Sequence, residues 1–171
     1  MICIACNENK PVHNYNYYGA DTTTIKAVNG IGFVHGKVFT GILFKLNNSF
    51  DTLFSICYQN GLKEGRSMLY YPNGSLREER YFSAGKKSGT AHSYWPAGQL
   101  KFTYHYYNDL YEGVQEEWFQ NGKCYSRKNF LNGYENGMQQ CWDSTGLLLA
   151  NYEARNGRNY GIIGVKHCKS N

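Results

Sequence analysis

Glycines placed at a fixed interval constrain the fold of this 171-residue chain more than any other feature. One series recurs every 24 residues, and two further series have the same spacing. The series are Gly41, Gly65, Gly89, Gly113, Gly137 and Gly161; Gly74, Gly98, Gly122 and Gly146; and Gly61, Gly85, Gly133 and Gly157, with Asp109 in the gap of the third. A period of this length is typical of stacked supersecondary units.

Asn-Gly pairs between the repeated segments predict β-hairpins. They occur at Asn60-Gly61, Asn73-Gly74, Asn121-Gly122 and Asn132-Gly133. Asn-Gly between short runs rich in Tyr, Phe and Trp indicates a hairpin, because both central residues of the favoured turn need a positive φ. Turns this close together leave no room for a helix. We therefore predict an all-β fold, an elongated array of antiparallel β-hairpins that forms a single-layer ribbon with a 24-residue period.

Two rows of aromatic residues follow the same period. The first row contains Tyr70, Tyr94, Trp118 and Trp142, and the second contains Tyr58, Phe82, Tyr106 and Phe130. Strand alternation predicts that Arg66, Met68 and Tyr70 share one face of the sheet. Aromatic side chains in a row are suitable anchors for a binding partner. The same side chains could instead hold neighbouring strands together, so both roles stay open for each residue.

The repeat unit resembles a known family. Residues 58–76 follow the pattern Tyr-x-Asn-Gly-x-x-x-Gly, then aromatic residues, then Asn-Gly-x-Leu. This pattern resembles the bacterial variant of the MORN repeat, as found in YwqK-type antitoxins, over residues 36–166. The resemblance implies a non-catalytic module that binds a partner protein, with a toxin as the partner. It also implies two alternatives, a structural or scaffold role and, as the weaker of the two, binding of membrane lipids.

The repeat phase divides the chain into three segments. Residues 1–32 carry no repeat and are expected to form a tail and a strand that caps the array. Residues 33–166 are expected to form the MORN-like array of about six units. Residues 167–171 are expected to form a C-terminal tail. Terminal units of such an array are atypical because they must cap it. A strand at the edge of the sheet could also pair with the same strand of a second copy of the chain, which would form a dimer.

The net charge of +5 is mild for the length of the chain. The basic residues cluster at the predicted turns, where they favour a solvated rim that prevents edge-to-edge pairing. The sequence contains no nucleic-acid-binding motif, so we do not expect nucleic acid as a partner. A basic chain is also unlike the acidic inhibitors that complement basic nucleases.

The N-terminal residues are compatible with two cellular locations for the protein. Ile4-Ala5-Cys6 resembles the end of a bacterial lipoprotein signal, which makes Cys6 a candidate for lipidation. A lipidated Cys6 would place the protein at the cell envelope, whereas an antitoxin would be cytoplasmic. Cys3-x-x-Cys6 has half the ligands of a zinc site, but no second pair follows at the required spacing. We therefore predict no metal site.

The cysteines of the array are expected to be free thiols. The predicted register places Cys141 opposite Ala150, and it places Cys168 on the other side of that strand, near Leu149. The resulting separation of about 10 Å exceeds the reach of a disulfide bond. Free thiols suit a reducing compartment, in conflict with the lipoprotein hypothesis.

No arrangement of residues indicates catalysis. Glu116 and Glu117 are adjacent on a predicted strand, so they point to opposite faces and cannot act as an acid–base pair. The five histidines occupy different positions in the repeat. The glycines are accounted for by turns rather than by a phosphate-binding loop. We predict neither an enzyme nor a cofactor.

Overall fold

The computed structural model describes residues 16–19 and 25–163 of the chain. The described residues form strands, turns and connecting segments, and none of them is helical. The prediction of an all-β fold built from antiparallel hairpins is confirmed. Within the described part of the chain, no helix could cross a membrane.

The chain forms two compact units, and unit 1 ends at Gly89. Its strands are β1 (Asn16–Gly19), β2 (Lys26–Val28), β3 (Ile31–Val34), β4 (Lys37–Val38), β5 (Gly41–Leu46), β6 (Thr52–Gln59), β7 (Leu62–Tyr70), β8 (Leu76–Ser83) and β9 (Lys86–Lys87). The main sheet has the order β1-β5-β6-β7-β8, and β9 pairs with β8. β1 runs parallel to β5, whereas the other pairs of this sheet are antiparallel.

A second sheet covers part of the main sheet in unit 1. It consists of β2, β3 and β4. The amide of Gly32 donates to the carbonyl of Gly61 at 2.7 Å, and the amide of Gly61 donates to the carbonyl of Phe39 at 2.7 Å. The two sheets enclose a core of four buried residues, Val34, Phe39, Leu43 and Tyr58, with Ile25, Phe54 and Ile56 packed against it.

The sequence boundary of the array at residue 33 differs from the structure, in which the first array strand, β5, begins at Gly41. Residues 33–38 belong to the small sheet. His35 and Gly36 both have a positive φ, 49° and 74°, like the residues of an array turn. Local sequence therefore does not distinguish this hairpin from a repeat unit.

Unit 2 begins at Thr90. Its strands are β10 (Gly89–Tyr94), β11 (Leu100–Tyr107), β12 (Leu110–Tyr111), β13 (Gly113–Trp118), β14 (Cys124–Leu131), β15 (Tyr134–Trp142), β16 (Leu148–Arg155) and β17 (Arg158–Ile162). Their order is β10-β11-β13-β14-β15-β16-β17, and β12 pairs with β11. The register of β15 and β16 places Cys141 opposite Ala150, as the sequence predicted.

Two kinds of turn alternate along the array. At one edge both central residues have a positive φ, for example 52° at Asn132 and 82° at Gly133, and we call this edge the Asn-Gly edge. At the other edge each turn that contains a glycine has a positive φ only at that glycine, for example 81° at Gly74, whereas the turn between β5 and β6 has a φ of 64° at Phe50. The prediction that both residues adopt a positive φ is therefore right at one edge and wrong at the other. The second kind is a turn closed by a hydrogen bond from the Gly74 amide to the Tyr71 carbonyl at 2.9 Å.

Consecutive hairpins are joined at the Asn-Gly edge by two recurring hydrogen bonds. In unit 2 the amide of Gly133 donates to the carbonyl of Tyr111 at 2.9 Å. The amide of Asn132 donates to Glu112 Oε2 at 2.8 Å. The same bonds recur in unit 1, where the amide of Gly85 donates to the carbonyl of Lys63 at 2.9 Å and that of Ala84 to Glu64 Oε2 at 2.7 Å. These contacts fix each repeat against its neighbour.

Candidate functional site

Strand alternation gives the sheet of unit 2 two different faces. All buried side chains among its described residues lie on one face, which we call the packed face. They are Ala91, Ser93, Tyr106, Gln115, Ser126, Gln139, Cys141, Ala150 and Ala154. The opposite face, called the open face, has only partly or fully exposed side chains.

Aromatic rings pack against one another on the packed face of unit 2. The closest pair, Phe102 and Tyr104, stacks with ring centroids 4.2 Å apart. Tyr106 and Phe130 both contact Tyr111, with centroid separations of 5.0 and 5.2 Å. Two of the candidate partner-binding residues, Tyr106 and Phe130, therefore pack against other rings of the sheet.

A partly buried hydrogen bond accompanies this cluster of rings. The hydroxyl of Tyr104 donates to Glu117 Oε1 on the neighbouring strand. Burial raises the pKa of Tyr104, and this hydrogen bond raises the pKa further. The phenol therefore stays protonated and neutral, and it acts as a structural donor.

Buried glutamine amides complete the packed face. Gln115 Oε1 accepts from the His105 amide at 2.8 Å, and Gln115 Nε2 donates to the His105 carbonyl at 3.1 Å. Gln139, one repeat later and only 1% exposed, donates through Nε2 to the Asn129 carbonyl at 2.8 Å. Gln139 bridges the bulge between Lys128 and Phe130 in the β14–β15 pair, and Gln115 links β13 to the main chain of β11. Sequence reasoning missed both residues, although their 24-residue spacing is a visible signal.

The first aromatic row lies on the open face in unit 2. Tyr94, Trp118 and Trp142 are partly exposed, and successive members are separated by two strands, about 10 Å. The side chains of Trp118 and Trp142 make no hydrogen bond or ring contact with other described residues. The main-chain carbonyl of Trp118 accepts a hydrogen bond from Trp95 Nε1 at 3.2 Å.

The two rows also lie on opposite faces of the main sheet in unit 1. Tyr70 donates through its hydroxyl to Met68 Sδ at 3.2 Å, so the two share a face as predicted. Tyr58 is buried on the other face, with its ring 5.5 Å from that of Phe39. Phe82 lies beneath Lys63, whose Nζ is 5.1 Å from the ring centroid. Burial raises the pKa of Tyr58, in keeping with a core position.

Polar side chains on the open face of unit 2 are paired with one another. Arg127 Nη2 lies 2.8 Å from Glu116 Oε1, and Gln140 Nε2 donates to Asn151 Oδ1 at 3.2 Å. Glu117 lies on the packed face, so the two adjacent glutamates are separated as the sequence predicted. His105 donates from Nδ1 to the Val114 carbonyl at 2.7 Å. Among the described residues, no group of three potential ligands could hold a metal ion.

The oxidation state of the cysteines corrects one prediction. Cys57 and Cys141 are disulfide-bonded, whereas Cys124 is free. Burial raises the pKa of the Cys124 thiol, which favours its protonated form. The expectation of free thiols is therefore wrong at two positions. The expectation rested on the predicted strand positions of Cys57, Cys124, Cys141 and Cys168. The cysteines other than Cys57, Cys124 and Cys141 are Cys3, Cys6 and Cys168. These three, including the lipidation candidate Cys6, lie outside the described residues.

Comparison with known proteins yields little. No family model matches the chain, and no curated protein does. Among solved structures, the chain is similar to one from the "Crystal structure of GtfA/B complex bound to UDP and GlcNAc", with a TM-score of 0.26 and 11% identity. The similarity covers 90% of this chain and 25% of that one, so the chain spans about a quarter of the solved protein's length.

Proposed function

We propose that this chain is a non-catalytic repeat module that binds a partner protein on the open face of unit 2. The observation that carries the proposal is the partial exposure of Trp118 and Trp142 and the lack of ring or hydrogen-bond contacts between their side chains and other described residues. Tryptophan is among the residues most enriched at the energetic centres of protein interfaces.

The second aromatic row is a poorer candidate for the interface. Tyr58 and Tyr106 are buried, and Phe130 packs on Tyr111. Tyr58 and Tyr106 are inaccessible to a partner in the folded sheet, and the partly exposed Phe130 is engaged in a ring contact within the sheet. The binding surface is therefore assigned to Tyr94, Trp118 and Trp142 of unit 2.

The resemblance to MORN repeats of the YwqK type makes a toxin the proposed partner, inhibited because the module covers its active surface. The module has a net charge of +5, so it does not imitate the negative charge of a nucleic acid. Recognition would depend on the aromatic row and on the paired polar groups beside it, such as Glu116 and Arg127.

A pull-down with the full chain as bait and the product of the neighbouring reading frame as prey tests this proposal. Trp118→Ala and Trp142→Ala should each weaken binding by about 2 kcal/mol or more, as expected for hot-spot residues. Phe50→Ala is the matched control, because Phe50 is 83% exposed and lies in unit 1. Unchanged binding by both tryptophan variants, or no capture by the wild type, would refute the proposal.

The disulfide bonds favour a second candidate function, a scaffold lipoprotein of the cell envelope that is tethered at Cys6. Disulfide bonds persist in oxidising compartments and are rare in the cytosol. Metabolic labelling with a fatty acid tests this hypothesis. Label should be incorporated into the wild type and lost in Cys6→Ala, whereas Cys124→Ala, which alters a free cysteine, should retain it. An unlabelled wild-type protein contradicts the hypothesis.

A further inference from the structure

Exposed apolar side chains collect at the Asn-Gly edge of unit 2, on the open face. Tyr107 and Tyr134 are 64% and 79% exposed, and Leu110 and Leu131 are also exposed. Tyr107 pairs with Leu110, and Leu131 pairs with Tyr134, each across its own turn. We call these four residues the tip patch.

The tip patch is continuous between the two hairpins. Leu110 Cδ2 lies 3.1 Å from the position that a Cβ of Gly133 would occupy, so the leucine packs directly on the next turn. Val114 and Met138, exposed on the same face, extend the apolar surface inward along β13 and β15. Contiguous exposed apolar surface of this kind marks an interaction site.

Stability of the hairpins does not explain the tip patch. The positions one repeat before Tyr107 and Leu110 carry Ser83 and Lys86. That hairpin forms the same turn, and its central residues, Ala84 and Gly85, both have a positive φ. The turn therefore folds without apolar residues at its ends, and the tip patch requires another explanation.

Two arginines stand at the next turn of unit 2, one repeat after Leu131 and Tyr134. Arg155 and Arg158 lie directly opposite each other across the hairpin. Like charges in directly opposed positions destabilise a strand pair. Neither arginine forms an ion pair with a described residue, whereas Arg127 and Lys128 each have a glutamate partner. Arg155 is held over the ring of Tyr160, 5.3 Å from its centroid. This turn is two strands from that of Tyr134, a separation of about 10 Å.

We propose that the tip patch and the arginine pair form one docking site for a protein segment in which apolar side chains lie next to aspartate or glutamate. The apolar side chains would cover Tyr107, Leu110, Leu131 and Tyr134. A carboxylate would bind between Arg155 and Arg158, since guanidinium groups bind carboxylates in a bidentate manner and the repulsion between them would be relieved. This inference rests on the proposed function in taking a protein as the partner, and it adds the chemistry of that partner.

A random 12-residue peptide library displayed on phage, selected against the full chain, tests the inference. Enriched peptides should combine a cluster of apolar residues with nearby acidic residues. The dissociation constant of the best synthetic peptide should rise at least about 10-fold with Leu131→Ser/Tyr134→Ser and with Arg155→Glu/Arg158→Glu. Phe50→Ser is the matched control for an exposed aromatic side chain, and Lys37→Glu is the control for an exposed cation. Urea unfolding of every variant shows whether the fold is retained.

Several results would overturn the inference. One is enrichment of peptides without acidic residues, and another is binding that is insensitive to both double variants. Flotation of the chain with phosphatidylglycerol vesicles that Leu131→Ser/Tyr134→Ser abolishes would make a membrane the occupant. A dimer in sedimentation that the same variant dissociates would make a second copy the occupant. Trp118→Ala is tested in parallel to separate this inference from the proposed function. If Trp118→Ala abolishes the pull-down while the peptide selection fails, the docking site is refuted and the proposed function is retained.

Discussion

Units 1 and 2 use the same hairpin repeat but bury its packed face in different ways. In unit 1 the small sheet β2–β4 covers the face and encloses an apolar core around Phe39 and Tyr58. In the described part of unit 2 the strands form a single sheet. Its packed face is closed by stacked rings and by the amides of Gln115 and Gln139. One backbone repeat therefore supports two kinds of core.

The open faces differ as well. On the face of the main sheet of unit 1 that carries Tyr70, Arg66 pairs with Glu79, and the Tyr81 hydroxyl donates to the same carboxylate at 2.8 Å. In unit 2 the open face carries Trp118, Trp142 and the tip patch. The comparison indicates that positions not needed for packing are free to vary between repeats, and that unit 2 uses them for apolar, accessible surface.

The largest expected effect concerns the core that is particular to unit 1. Phe39→Ala should lower the free energy of unfolding by about 3–5 kcal/mol, because it removes a buried ring and leaves a cavity. Urea denaturation measures the change. Phe50→Ala, an identical substitution at an 83% exposed site, should stay within about 0.5 kcal/mol of the wild type. Equal effects of the two substitutions would show that the small sheet does not enclose a core.

The amide bridge of unit 2 should have the next largest effect. Gln115→Leu keeps the approximate size of the side chain but leaves the amide and carbonyl of His105 without these partners. The expected loss is about 1–3 kcal/mol of unfolding free energy, measured in urea. Gln140→Leu, on the open face of β15, removes one side-chain hydrogen bond to Asn151, is the control and should change stability by less than about 0.5 kcal/mol. A tolerated Gln115→Leu would contradict the bridging role.

A smaller and opposite effect is expected at the turn where Asp109 replaces the repeated glycine. Asp109 has a φ of 70°, which is strained for a residue with a Cβ. Asp109→Gly should therefore raise the free energy of unfolding by about 1 kcal/mol. Asp109→Ala removes the charge but keeps the Cβ, so thermal unfolding should show no such gain. If Asp109→Ala stabilises as much as Asp109→Gly, charge rather than backbone strain is responsible.

The smallest effect concerns the exposed turn at Asp143. A hydrogen bond from the Thr145 hydroxyl, at 2.6 Å, lowers the pKa of Asp143, and backbone amides of the turn lower it further. The carboxylate therefore stabilises the fold above the ordinary Asp pKa of about 3.9, and this contribution is lost as the pH falls through the lower folded value. The stability advantage of the wild type over Asp143→Asn should shrink in this acidic range, and Thr145→Val should raise the pKa of Asp143 measured by NMR. An advantage that is independent of pH would argue against this linkage.

Local chemistry allowed much of the array to be predicted. The positive φ at Asn132 and Gly133, the register of Cys141 with Ala150, and the opposite orientation of Glu116 and Glu117 all follow from turn geometry and strand alternation. The candidate site could be predicted only as two aromatic rows of equal standing. The two rows differ in whether other side chains cover them, and the spacing of the repeat carries no information on that.

The sequence by itself determined the repeat, the positions of its turns and the face of each strand residue, because these depend on neighbours along the chain and across one hairpin. The tertiary structure decided that β2–β4 buries Tyr58 and that Trp118 remains accessible. These properties depend on contacts between residues distant in sequence, and burial and accessibility are set only once those residues are brought together.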